Sequence, residues 1–323
     1  MTRLSKFYFL LSPGHLGLFA LMLAATALMA AEDENAVRLY QRGMKLISEG
    51  EPEEALERFN TVASKYRRSE TCGLTLWEIY RIQEHLGQDL AAFEALNRLV
   101  TEQPGHFAKA HEGQLRLVVR LIGRGKEERR TLESARPSKQ VDPEVLAEML
   151  RVTIKNGPQS ETGIQAHYYL ALTLEKAGKK MEAIAMHEDF AENFPKHELA
   201  DDAAYQSAYI AYKDWKTMRS DSPHQREAAA ISLAWFIARF PESDKGAQAQ
   251  SCLGEVRLAE RRELLSLARY YEGRGNGKAA DIYYRQLGEK FPEVIATDGV
   301  LRTKILHATD GSKVSTDFIG PTQ

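Results

Sequence analysis

Residues 36–69 read AVRLYQRGMKLISEGEPEEALERFNTVASKYRRS. Two apolar runs at helical spacing, Leu39 to Leu46 and Ala55-Phe59-Val62, flank the stretch Glu49-Gly50-Glu51-Pro52. Gly50 can take the positive φ that ends a helix, and Pro52 fits the first turn of the next, where its missing N–H is harmless. The segment therefore reads as two antiparallel helices, with the small residues Gly43 and Ala55 where they cross.

After three intervening residues the pattern returns from Gly73, with Leu76, Ile79, Ala92, Leu96, Leu99 and Pro104 in ungapped register within the copy, and again from Ile164, with Leu170, Leu174, Ala183, Phe190 and Pro195. A period of 34 residues with these positions is that of the tetratricopeptide repeat. A third copy, between these, is degenerate: a helix from about His106 to Ile122, a charged insertion over 124–141 and a helix from Pro143 to about Lys155. A fifth has a longer loop, Asp214 to Ser222, then Ala229, Leu233, Phe236 and Pro241. After an extra helix from about Lys245 to Glu260, a last copy gives Leu264, Leu267, Ala268, Tyr271, Ala280, Tyr284, Leu287 and Pro292.

Nowhere do residues alternate as a half-buried strand requires, so the expected fold is an all-α tetratricopeptide superhelix of about five to six helix-turn-helix units. The expected division is a signal peptide at 1–31, N-terminal repeats at 32–158, C-terminal repeats at 159–307 and a disordered tail at 308–323. Arg3 and Lys6 precede the apolar run Leu16–Leu28, and Met29-Ala30-Ala31 offers a small-residue cleavage point, which implies export. An uncleaved anchor is the alternative, although the run is shorter than the roughly twenty residues a spanning helix needs.

The 323 residues carry 43 basic and 45 acidic side chains, a formal charge of −2, so no global cationic field favours nucleic acid. With 43% hydrophobic and 27% charged residues, the chain has enough apolar surface to pack rather than stay disordered. Cys72 and Cys252, 180 positions apart, fall on apolar helix faces and read as buried free thiols, with pairing in an oxidising compartment as the alternative.

Motifs for catalysis are missing. No His-Glu-x-x-His occurs, and His106 and His111, five apart, fall on different helix faces, where capping or surface polarity is the expectation. Gly273-Arg274-Gly275-Asn276-Gly277-Lys278 fails as a phosphate loop, because Glu272 replaces the first glycine, Ala279 follows the lysine and no strand precedes it. No Gly-x-Ser-x-Gly elbow is present either. No enzyme activity, cofactor or metal is expected.

The binding groove of such repeats is lined by positions 2, 5, 9 and 12 of each first helix: Val37, Tyr40, Met44 and Ile47; Leu74, Trp77, Arg81 and Glu84; Gln165, Tyr168, Leu172 and Glu175. An aromatic at position 5 of all three suits an extended peptide, with Met44 and Arg81 beside it. Tyr40, Trp77 and Tyr168 could equally pack between repeats, and their exposure decides which. From Arg116 to Lys139 eight basic residues (Arg116, Arg120, Arg124, Lys126, Arg129, Arg130, Arg136, Lys139) face only Glu127, Glu128 and Glu133. Such a run is either a solvated loop or a docking patch for an acidic partner or anionic headgroups.

Three stretches carry a family resemblance: Tyr40 to Ser69, closing in Lys65-Tyr66-Arg67-Arg68-Ser69; Arg219-Ser220-Asp221 through Ala228-Ala229 to Arg239-Phe240-Pro241-Glu242-Ser243; and Glu263-Leu264 through Leu267-Ala268-Arg269-Tyr270-Tyr271 and Ala279-Ala280 to Phe291-Pro292. In order and spacing they resemble the BamD-type component of the β-barrel assembly machinery of the bacterial outer membrane. The resemblance implies a non-enzymatic scaffold at the periplasmic face of that membrane. Its C-terminal repeats would dock on the barrel-forming subunit through Arg261, Tyr270, Tyr271 and Arg274, alongside other components of the machinery. Unfolded outer-membrane proteins would enter the groove at Tyr40, Met44, Trp77, Arg81 and Tyr168. The family's lipidated cysteine after the apolar run is replaced by Leu28-Met29-Ala30-Ala31, so attachment would rest on docking or on the N-terminal segment. A periplasmic repeat protein coordinating cell-wall synthesis or envelope constriction is the other reading of this architecture.

Overall fold

The computed structural model describes residues 33–127, 141–218 and 222–316, all of them in helices or the turns between helices. The expected signal peptide, most of the expected insertion and the last residues of the expected tail lie outside these. Among the described residues there are fourteen α-helices and no strand, as the apolar periodicity requires. They fall into two compact units, up to Ala177 and from Gly178.

The first unit contains α1 (33–49), α2 (Pro52–Lys65), α3 (Glu70–His85), α4 (Asp89–Glu102), a 3-10 turn at Pro104–His106, α5 (Phe107–Glu127), α6 (Pro143–Asn156) and α7 (Glu161–Lys176). From α2 to α7 each helix packs on the next in sequence. The hairpins are closed by glycine in the left-handed region, Gly50 at φ 82° and Gly87 at φ 70°, where a side chain would be strained. Residues at the expected crossing positions are sealed: Ala55, Phe59, Val62, Ala92, Leu96 and Leu99 are 0% exposed. A Cβ on Gly43 would lie 2.5 Å from the Phe59 ring, which is why the crossing takes glycine.

A polar layer joins α4, α5 and α6 in this unit. Asn156 Nδ2 donates to Asn97 Oδ1 and Gln114 Oε1, both at 3.0 Å, and Gln114 Nε2 donates to Asn97 Oδ1 at 3.3 Å. Gln114 is wholly buried, so these bonds offset its desolvation. His111, expected at a cap or the surface, is instead buried, its Nε2 2.8 Å from the Thr153 carbonyl and its ring against Phe107. His106 is likewise engaged, accepting from Trp77 Nε1 at 3.1 Å.

The second unit holds α8 (Lys180–Asn193), α9 (Ala200–Thr217), α10 (Pro223–Arg239), α11 (Gly246–Gly273), α12 (Gly277–Lys290), α13 (Glu293–Thr297) and α14 (Gly299–Thr316). Its core gathers Tyr205, Ala208 and Tyr212 of α9, Ala229, Leu233 and Phe236 of α10 and Cys252 and Val256 of α11. A further cluster joins Leu264, Ala268, Tyr284, Leu287, Leu301 and Ile305. Both cysteines are buried and free.

Four boundaries differ from the sequence reading. The separate helices expected before and after residue 260 are one helix of 28 residues, α11, because no glycine or proline interrupts Ala247 to Glu272 at a point where the ladder must break except Gly254, a site with open space around it. Helix α5 runs five residues past Ile122 into the insertion, and α9 runs on to Thr217 through what was read as loop. Helix α14 extends to Thr316, past residue 308 where the tail was expected to begin. Its Leu301, Ile305 and Ala308 fill the end of the unit beside Tyr284 and Leu287, so the array ends in a capping helix.

Candidate functional site

In the first unit Tyr40 and Met44 stand on α1 and Trp77 and Arg81 on α3, with Glu78 and Arg81 near enough to act on the Tyr40 phenol and Lys109 of α5 over the Trp77 ring. Tyr40 is half-buried, its ring 5.8 Å from Phe59, and burial, with the charge of Glu78 beside it, raises the phenol pKa. Arg81, exposed, donates to both oxygens of Glu78 at 3.2 Å. Trp77 is half-buried between repeats: its indole N–H is spent on His106, its edge faces Tyr80, and Lys109 Nζ stands 4.9 Å from its ring centre. The question of exposure is thus answered residue by residue. Trp77 packs between repeats, while Val37, Met44 and Leu74 are open apolar contacts at 40%, 37% and 49% exposure. Tyr168 is on α7, half-buried and edge-on to Tyr169.

The Tyr80 hydroxyl donates to Glu84 at 2.8 Å, which together with burial pushes its pKa up to about 12, and Glu84 also takes Arg120. Arg116 pairs with Glu112 at 3.0 Å. The first two cations of the basic run are therefore neutralised by their own unit, a pairing that the sequence count, confined to residues 116–139, could not include.

In the second unit Tyr270 is 52% exposed at the end of α11, with the Arg274 guanidinium 4.9 Å above its ring. Tyr271 is held instead against Tyr283, the rings 5.6 Å apart and nearly parallel. Arg261 does not join them. Nine residues at about 100° each put it on the opposite side of the helix from Tyr270, roughly 13 Å back along the axis. There it lines an open cleft with Arg257, Leu258, Lys290 and Glu293. Behind the Tyr270 edge, Glu272 accepts from Tyr284 at 2.9 Å and from Lys304 of α14 at 2.6 Å, and these bonds hold its carboxyl below the usual range. No group of three or more metal-ligating side chains occurs among the described residues.

Stacked helical hairpins whose exposed edges carry aromatic and basic side chains define a repeat protein of the tetratricopeptide class. Residues 144–309 match the family described as YfiO, outer membrane lipoprotein, a span of just over half the chain, and the protein belongs to that family. Among solved structures it is similar to a tetratricopeptide repeat protein from Parabacteroides merdae ATCC 43184, at 12% identity over 85% of this chain and 99% of that one, with a TM-score of 0.32. No curated protein matches it.

Proposed function

We propose that the protein is a non-enzymatic scaffold of the outer-membrane β-barrel assembly machinery, exported to the periplasmic face of that membrane. Its second unit docks on the periplasmic domains of the barrel-forming subunit, and the Tyr40, Met44 and Arg81 face of the first receives unfolded outer-membrane proteins. Membership of an outer-membrane lipoprotein family, over a span from α6 to α14 that takes in the second unit, carries this reading. The open Tyr270 and Arg274 pair supports it, because aromatic and arginine side chains dominate protein interfaces. Titration calorimetry of the whole protein against those periplasmic domains tests it. Micromolar binding is expected, weakened roughly tenfold by Tyr270→Ala with Arg274→Ala. Tyr271 is left intact because its stacking on Tyr283 belongs to the fold. Absence of binding by a folded protein overturns the proposal.

A further inference from the structure

Helix α10 is apolar on two opposite sides. Ala229, Leu233 and Phe236 point into the core. On the other side Ala228, Ile231, Trp235 and Ala238 share an arc of about 80° and are all exposed, Ile231 at 62% and Trp235 at 37%. A helix apolar all round is normally covered all round, and an exposed apolar stripe marks an interaction site.

Ile231 and Trp235 of the stripe, with Ser232 beside them, form one wall of a cleft of about 230 Å³. Ala204 and Ser207 of α9, small and buried, make its floor, and Glu188 and Glu192 of α8 make the opposite wall. No cation lines the cleft. Glu188 accepts a bond from Ser207 Oγ at 2.9 Å, and among the described residues neither carboxylate forms an ion pair. The two carboxylates are four residues apart on α8, as Ile231 and Trp235 are on α10, so both walls repeat at about 6 Å, the spacing of i, i+4 side chains on a third helix laid along the groove.

We infer that this cleft between α8 and α10 docks an amphipathic helix of a partner protein, with an apolar side chain against Ile231 and Trp235 and lysine or arginine alongside at Glu188 and Glu192. The volume suits one or two large side chains and lies below the ~300–1,000 Å³ of small-molecule pockets. A helix can offer adjacent apolar and basic stripes to walls flanking one floor, whereas a strand presents its two faces back to back. The inference stands apart from the proposed function, since it uses neither Tyr270 nor Arg274.

The probe is a fluorescent synthetic helix of about five turns, with leucine along one stripe and lysine beside it, titrated by anisotropy against the whole protein. A second peptide carries glutamate in place of lysine. Binding of the lysine peptide is expected to exceed that of the glutamate peptide by roughly tenfold or more. Ile231→Asp and Trp235→Ala should each weaken it by about tenfold, and Glu188→Gln with Glu192→Gln should flatten its salt dependence. Tyr270→Ala with Arg274→Ala should leave it unchanged. Circular dichroism of each variant checks the fold, which these open positions should not disturb. Failure of the lysine peptide to bind, or equal binding by the Ile231 and Trp235 variants, overturns the inference. So does a dimer of the free protein, seen by sedimentation, that Ile231→Asp dissolves, because the face would then belong to a second copy.

Discussion

His187 shows what burial does to one side chain. It sits at 0% exposure in α8, and desolvation lowers its pKa to about 4, so the imidazole is neutral at pH 7. In the unfolded chain the same group titrates near 6.5. Between these values the unfolded state binds the extra proton, so stability is full above about pH 6.5 and falls as pH drops toward 4, by at most about 3 kcal/mol. Urea midpoints at pH 7.5 and 4.5 should therefore differ more in the natural protein than in His187→Leu, and equal pH dependence would show that the ring is not buried. Sequence offered no sign of this. The apolar periodicity places Ala183 and Phe190 correctly, but a histidine three residues before Phe190 reads as a polar interruption. His111 was hidden in the same way, since its partner Thr153 lies on α6, 42 residues away across the charged insertion. The groove residues were legible in type, not in state: position 5 of three first helices carries an aromatic, yet only the structure commits the Trp77 indole to His106.

At the scale of elements, turns were the legible part and continuity was not. Gly50 closes its hairpin in the left-handed region, as its place between two apolar runs and before Pro52 required. The junction at residue 260 was misjudged because a repeat period suggests a turn where nothing in Ala259-Glu260-Arg261-Arg262-Glu263 breaks a helix. Helix α14 did carry a signal. Asp298 caps it, its Oδ1 accepting from the amides of Val300 and Leu301 at 3.0 and 3.1 Å, and Leu301, Ile305 and Ala308 follow at helical spacing. The signal was masked by the polar residues that come after. Ile305 is 2% exposed and occupies the space a Cβ on Gly288 would need. Ile305→Ala should cost about 2–5 kcal/mol as a cavity under the cap, read as a lower urea midpoint. A change below half a kcal/mol would mean that α14 does not seal the array.

In the whole molecule, the consequence of building from hairpins is that damage should stay local. Each helix of α2 to α7 packs on its sequence neighbours, so stability is a sum of repeat and nearest-neighbour terms rather than one global core. Gly163 offers a test in the first unit. It stands in the first turn of α7, where Ser160 Oγ accepts its amide at 3.0 Å and also donates to the Gly157 carbonyl at 2.7 Å. A Cβ at Gly163 would collide with that same carbonyl oxygen, which is backbone and has no rotamer to change. Gly163→Ala should therefore destabilise by about 2 kcal/mol or more and loosen the turn between α6 and α7. Hydrogen exchange locates the effect: amides of α5, α6 and α7 should lose protection, while those of α11, α12 and α14 keep theirs, and Ile305→Ala should give the converse pattern. If either substitution raised exchange evenly through both units, the chain would be unfolding as one cooperative body, and the division at Ala177 and Gly178 would carry no energetic meaning.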